Sequence, residues 1–252
     1  MIRSIFCPKK GSRQLELTPN QIAEALKKPE GLLWVSLEQP TEAELYEVLQ
    51  DIFHFHPLAI EDCLSDGYQP PKVDIFDDYL FIISHSLQPD FPLDHLDTME
   101  LNCFLGFNYL VTSFRCPEMT PVQAVWERLE RDERPLERGA DFLCYTILDQ
   151  LVDKYLPVLD AMDEEIDQLE DQVLARPKPI VLQRILSLKH SILMLRRIIA
   201  PQREVMNRLS RDDLPQIDDQ HRIYFRDIYD HLVRTHDLSE SIRDVVTGTL
   251  DT

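Results

Sequence analysis

Glycine is scarce in this 252-residue chain, with six against 17 prolines, so Gly-rich loops that cradle phosphates are not expected. Positive charge is also short. Lys and Arg total 26 against 45 Asp and Glu, a formal charge of −19. Nucleic acid and anionic lipid recruit surplus Lys and Arg, so neither is an expected direct partner; divalent cations or basic partners suit the charge. The five cysteines, Cys7, Cys63, Cys103, Cys116 and Cys144, form no CxxC pair and their number is odd. A disulfide framework or zinc cage is therefore not expected, and reduced thiols fit. No apolar run approaches the roughly 18–20 residues that span a bilayer. GxSxG and HExxH are missing as well, and with them any recognisable enzyme signature.

What is present divides by periodicity. Residues 1–117 read as α/β. Segments 31–37, 79–87, 99–107 and 108–114 are rich in β-branched and aromatic residues at strand length. The last two meet at a tight turn and form a hairpin. Thr41 with Glu44 three residues on predicts a capping box opening a helix over 41–53, and Pro57 opens another. Strands covered by helices imply an α+β fold, an α/β/α sandwich. Residues 118–214 read as helical, with an antiparallel hairpin of helices over about 138–175 and 180–211, broken at Arg176-Pro-Lys-Pro179. Leu148, Val152, Tyr155, Leu159, Met162, Ile166, Leu169 and Val173 make a heptad seam, and Ile185 to Leu209 continue one in which Gln202 is the polar interruption. Pro157 and Pro201 should bend these helices. Residues 215–252 read as a third helix that ends in mid-pattern, which implies a longer parent protein.

The hairpin segregates its charge. Residues 160–171 carry seven acids and no Lys or Arg, while 176–211 are basic. Solvated faces pairing weakly are the simpler account, and faces attracting across subunits or between moving parts the sharper one. Carboxylates are the abundant ligand type, and oxygen-only sites suit Mg²⁺ or Ca²⁺. Glu61 and Asp62 adjoin on a short helix, and Asp74, Asp77 and Asp78 punctuate a strand region. Asp149 and Asp227 each interrupt an otherwise apolar helical stretch, where an acid is least expected without a purpose. Solvated side chains or helix caps are the alternative for all of them. His54 and His56 flank Phe55 as a ligand-like pair or as an ordinary turn.

Segments 33–45, HPLAIEDCL (56–64), PKVDIFDDYLFIISH (71–85), DEEIDQLEDQVL (163–174) and YFRDIYDHL (224–232) occur in the order seen in CorA-type magnesium channels, which the chain resembles from about residue 30 to its end. It departs at Gln69-Pro70-Pro71, where the family has Gln-Arg-Pro. The resemblance implies an α/β/α cytoplasmic domain, a long helical hairpin and the start of a stalk helix, in a homopentamer of the cell (inner) membrane. The pore tripeptide Gly-Met-Asn and the spanning helices are not in this sequence, so the expected role is sensing and not conduction. By motif, Asp62 faces Asp227 of the adjacent subunit across a Mg²⁺ ion, with Co²⁺ or another divalent cation as alternatives. Glu61 and Asp149 would form a second, looser site. A related transporter of Zn, Co or Ni, or an acidic scaffold for basic partners, are the competing readings. At −19 per chain, an isolated copy is expected to be a monomer or weak oligomer.

Overall fold

Strand alternation sorts apolar side chains to two opposite faces, and each face demands its own cover. In the computed structural model the chain runs β1 (Ile2–Cys7), β2 (Gln14–Leu15), α1 (Pro19–Leu26), β3 (Leu32–Glu38), α2 (Glu42–Leu45), a π-helical stretch (Tyr46–Ile52), α3 (Pro57–Leu64), β4 (Lys72–Ile75), β5 (Tyr79–Leu87), β6 (Thr98–Gly106) and β7 (Tyr109–Phe114). Then come α4 (Thr120–Arg131), α5 (Arg134–Glu137), α6 (Ala140–Val152), α7 (Tyr155–Ala175), α8 (Pro179–Arg211) and α9 (Arg222–Asp251). The structure describes residues 1–87, 92, 93, 96–132, 134–175 and 178–251, with the backbone alone for 174, 175, 250 and 251. Arg176 and Pro177 of the expected hairpin break lie outside the described residues.

The strands form one sheet in the order β2-β1-β3-β7-β6-β5-β4. β3 and β7 pair in parallel and the other neighbours are antiparallel. On one face Leu33, Val35, Phe81, Phe104 and Val111 meet Ile22 of α1, Val48 and Leu49 of the π stretch, and Ile60 of α3. On the other, Trp34, Leu80, Ile82, Leu101 and Leu110 meet Val122 and Trp126 of α4 and Leu143 and Ile147 of α6. That is the expected α/β/α sandwich. Burying each such Leu, Ile or Phe contributes about 1.5–3 kcal/mol. The β6–β7 hairpin closes tightly, and a Cβ on Gly106 would come within 2.3 Å of the Tyr109 ring.

The capping box forms as expected. Thr41 Oγ1 accepts from the Glu44 N–H at 3.2 Å, and Glu44 Oε2 accepts from the Thr41 N–H at 2.8 Å. The helix it opens relaxes into π geometry after one turn, which periodicity did not foresee.

A second difference concerns the long helix expected over 138–175. It is two helices, α6 and α7, separated at Asp153 and Lys154. Pro157 sits in the first turn of α7, where its missing N–H leaves no bond unmade, whereas its ring would clash with the Asp153 carbonyl in a continuous helix. The apolar seam crosses the break intact, since Val152, Tyr155 and Leu159 are all buried. Pro201, by contrast, lies within an unbroken α8.

The hairpin helices and the third helix pack together as a three-helix arrangement. α8 makes its most extensive contact with α9, and α7 contacts both. Glu165 of α7 pairs with Arg184 at 2.5 Å, while Arg196 reaches Glu240 of α9.

Gln202 has a specific use. β4 covers β5 only from Leu80 to Ile83, so the outer edge of β5 is open at His85. Gln202 Oε1 accepts from the His85 N–H at 3.1 Å, and the Tyr155 hydroxyl donates to the His85 carbonyl. Two helices thereby finish a strand edge that no strand covers.

Candidate metal centre

The placement of α9 on α6 begins with a buried carboxylate. Asp141, 6% exposed in the first turn of α6, accepts from the Phe142 N–H at 2.8 Å through Oδ1. Its Oδ2 accepts from the Asp218 N–H at 2.9 Å and from His221 Nδ1 at 2.8 Å. The loop before α9 is thus tied to the start of α6. Around the tie, Phe142, Tyr145 and Tyr224 stack edge and face, with centroids 5.0–5.4 Å apart, and Arg138 lies 3.5 Å over the Phe142 ring. These contacts set the rotation of both helices.

Two turns beyond Asp141, that rotation brings Asp149 of α6 to Asp227 and His231 of α9. One ligand atom from each of the three lies within 4.8 Å of the others. His231 Nε2 is 4.0 Å from Asp227 Oδ2, and its Nδ1 is 3.8 Å from Asp153 Oδ1. Burial pushes the Asp149 carboxyl up to about 6, and the neighbouring Asp153 and Asp227 charges add to this against the pull of His231. The same burial and the same carboxylates hold the Tyr145 hydroxyl at about 12. A carboxylate whose ionisation is opposed by two others gains most when a cation arrives.

The sign of the pH effect follows. The folded chain holds a proton on Asp149 up to about pH 6, whereas an unfolded Asp releases it near its ordinary value of 3.8. Asp149 therefore favours folding below about pH 4, and that contribution is lost as pH rises through 6. Without divalent cations, Asp149→Asn should melt higher than the parent chain at pH 7.5, and the difference should vanish by about pH 4. Thermal melts at the two pH values check this. An equal melting temperature at pH 7.5 would contradict it.

The other expected ligands lie elsewhere. Asp62, on α3, receives the Lys72 ammonium at 2.7 Å, and Lys72 also holds Asp74 at 2.6 Å. A cation at Asp62 must compete with Lys72. Glu61, the preceding residue, is exposed on the same helix. Within one chain the close grouping is thus Asp149 with Asp227, and Asp62 and Glu61 are not part of it. His231 was not anticipated, although it follows Asp227 by four residues, one helical turn. His56 serves as the α3 N-cap, its Nδ1 accepting from the Leu58 N–H at 3.2 Å, and His54 Nδ1 lies 2.9 Å from the Gln50 carbonyl.

Among the described residues, no helix is long and apolar enough to cross a membrane. Residues 29–252 match the model of a family described as CorA-like Mg2+ transporter protein. The chain is 35% identical over 219 residues to the cobalt/magnesium transport protein CorA of Thermotoga maritima, covering 86% of this chain and 62% of that protein. It therefore spans less than two thirds of that relative. It is 33% identical to the putative metal ion transporter YfjQ of Bacillus subtilis, over 94% of this chain and 72% of that one. Its fold matches the soluble domain of CorA from Methanocaldococcus jannaschii with a TM-score of 0.80 at 22% identity, covering 100% of this chain and 95% of the other.

Proposed function

Since this chain belongs to the CorA-like Mg2+ transporter protein family, we propose that it is the cytoplasmic regulatory part of a divalent-cation channel. In this reading intracellular Mg²⁺ binds carboxylates at the boundaries between subunits of a homopentamer and holds the pore closed. The observation that carries it is the convergence of Asp149, Asp227 and His231, in which like charges press on one another. Asp227 is exposed and so open to a neighbouring chain, and Asp62 and Glu61 on α3 are the acids that chain would present. Binding mainly in the closed arrangement shifts the population towards it, and falling Mg²⁺ releases it. Millimolar affinity, about 4 kcal/mol per ion, lets such a site empty when cellular Mg²⁺ drops.

In the full-length protein carrying this sequence, Asp62→Ala and Asp227→Ala should each raise the Mg²⁺ concentration needed to inhibit uptake by about tenfold, or 1.4 kcal/mol. Inhibition by Mg²⁺ should also weaken as pH falls below about 6, where Asp149 takes up a proton. Unchanged inhibition in both variants would reject the reading.

His231 favours a second reading, in which the regulating ion is Co²⁺ or another borderline metal, because imidazole suits such ions better than Mg²⁺. His231→Ala should then weaken Co²⁺ inhibition and leave Mg²⁺ inhibition as it was.

A further inference from the structure

A cavity of about 540 Å³ opens where β6 begins and β7 ends, lined also by the 65–68 loop after α3. It shares no residue with the Asp149–Asp227–His231 grouping. Its polar groups are unequally provided for. Asn102, 4% exposed, donates from Nδ2 to Glu100 Oε1 at 2.9 Å, and its Oδ1 has no partner among the described residues. His85, 2% exposed, is neutral by burial and donates from Nε2 to the Gln69 carbonyl at 2.6 Å. That bond fixes the tautomer, so Nδ1 is a lone-pair acceptor, and it too has no partner among the described residues. Glu100, opposite His85 in the β5–β6 register, has its ionisation opposed by burial and favoured by the Asn102 amide and the Gln69 N–H. The Arg115 guanidinium at the same cavity is engaged by Asp66 Oδ1 at 2.6 Å and by the Leu64 carbonyl at 3.0 Å.

The unmet groups are therefore acceptors, and the acids lining the cavity, Asp66, Asp97 and Glu100, outnumber its Arg115. Buried acceptors left unpaired cost free energy, so an occupant is selected by the donors it brings. Anions bring the wrong charge and no donors. We propose that this cavity binds a small organic cation through N–H donors, an alkylammonium or alkylguanidinium, whose charged end meets Glu100 and, once their side chains turn towards it, the buried acceptors Asn102 Oδ1 and His85 Nδ1. Its aliphatic part lies against Tyr68 and Phe114, which line the same space. The site stands apart from the cation regulation proposed above and does not depend on it.

The test uses the whole 252-residue chain, with binding followed by backbone amide shifts and calorimetry. n-Butylammonium and n-butylguanidinium should produce saturable shifts at the Glu100 and Asn102 amides. Butyltrimethylammonium has the same charge and no N–H, and should bind about tenfold more weakly, a 1.4 kcal/mol difference. Glu100→Gln should lose about tenfold in affinity and Asn102→Leu a similar factor. Both should keep the parent's tryptophan emission, which shows that they fold. Asp227→Ala should bind these probes as the parent does. The proposal is overturned by any of three results: no saturable shift into the tens of millimolar, undiminished affinity in Glu100→Gln, or equal affinity for the trimethylammonium probe. Displacement of the probes by Mg²⁺ at equal concentration would overturn it as well, since the cavity would then be a site for hydrated metal.

Discussion

Asp141→Ala should destabilise the chain by about 3 kcal/mol, more than most single substitutions. The carboxylate accepts from three donors, the Phe142 and Asp218 N–H groups and His221 Nδ1, in a pocket where Asp141 is 6% exposed. Stranding a buried donor costs about 1–3 kcal/mol, and partial rehydration of the Asp218 and His221 groups keeps the total below the sum of three. Because the same residue ties the α9 approach to α6, the loss should extend to function. In the reading proposed above, cation affinity at Asp149 and Asp227 should fall in Asp141→Ala although neither residue is changed. Urea unfolding can be followed by emission from Trp34 and Trp126, whose rings lie 4.7 Å apart between the sheet and α4. A loss below about 1 kcal/mol would show that the tie is replaceable by water.

Gln202→Leu should cost about 2 kcal/mol despite placing an apolar residue in an apolar seam. The residue is fully buried, and a reading by hydrophobicity alone predicts a gain. What the leucine cannot supply is the acceptor for the His85 N–H at the uncovered edge of β5. Tyr155→Phe removes the donor to the carbonyl of the same residue and should cost about 1 kcal/mol. Because both side chains serve one peptide edge, the double variant should be non-additive, with a coupling of about 0.5 kcal/mol or more. Chemical denaturation of the four proteins in the cycle measures it. Stabilisation by Gln202→Leu would show that hydrophobic burial outweighs the strand edge.

The elements legible in the sequence were those whose signal is local. Thr41 and Glu44 sit three residues apart and cap one another without help from the rest of the chain. The seam from Leu148 to Leu169 reports its burial through spacing alone, and so survives a break that spacing could not reveal. Where a residue's role depends on a distant partner, sequence was silent. Gln202 looked like an interruption because His85 lies 117 residues away. Lys72 gave no sign that it would hold Asp62, and Asp141 none that it would hold a loop 77 residues on. Asp149 and Asp227 stood out as acids in apolar helices, yet their convergence depends on the rotation of α6 against α9. His231 stands one turn after Asp227, but an oxygen-only ligand set, the kind that suits Mg²⁺, leaves an imidazole out.

The position of Asp227 near the start of α9 has a mechanical consequence. Twenty-four residues of helix separate it from Asp251, a reach of about 36 Å at 1.5 Å per residue. A pivot of about 5° at this grouping would sweep the far end through about 3 Å, enough to part Thr249 from Glu170 of α7. α8 is the helix in most extensive contact with α9 along this arm. In the reading proposed above, a cation arriving among three side chains would be geared up to a displacement of that size at the far end of α9.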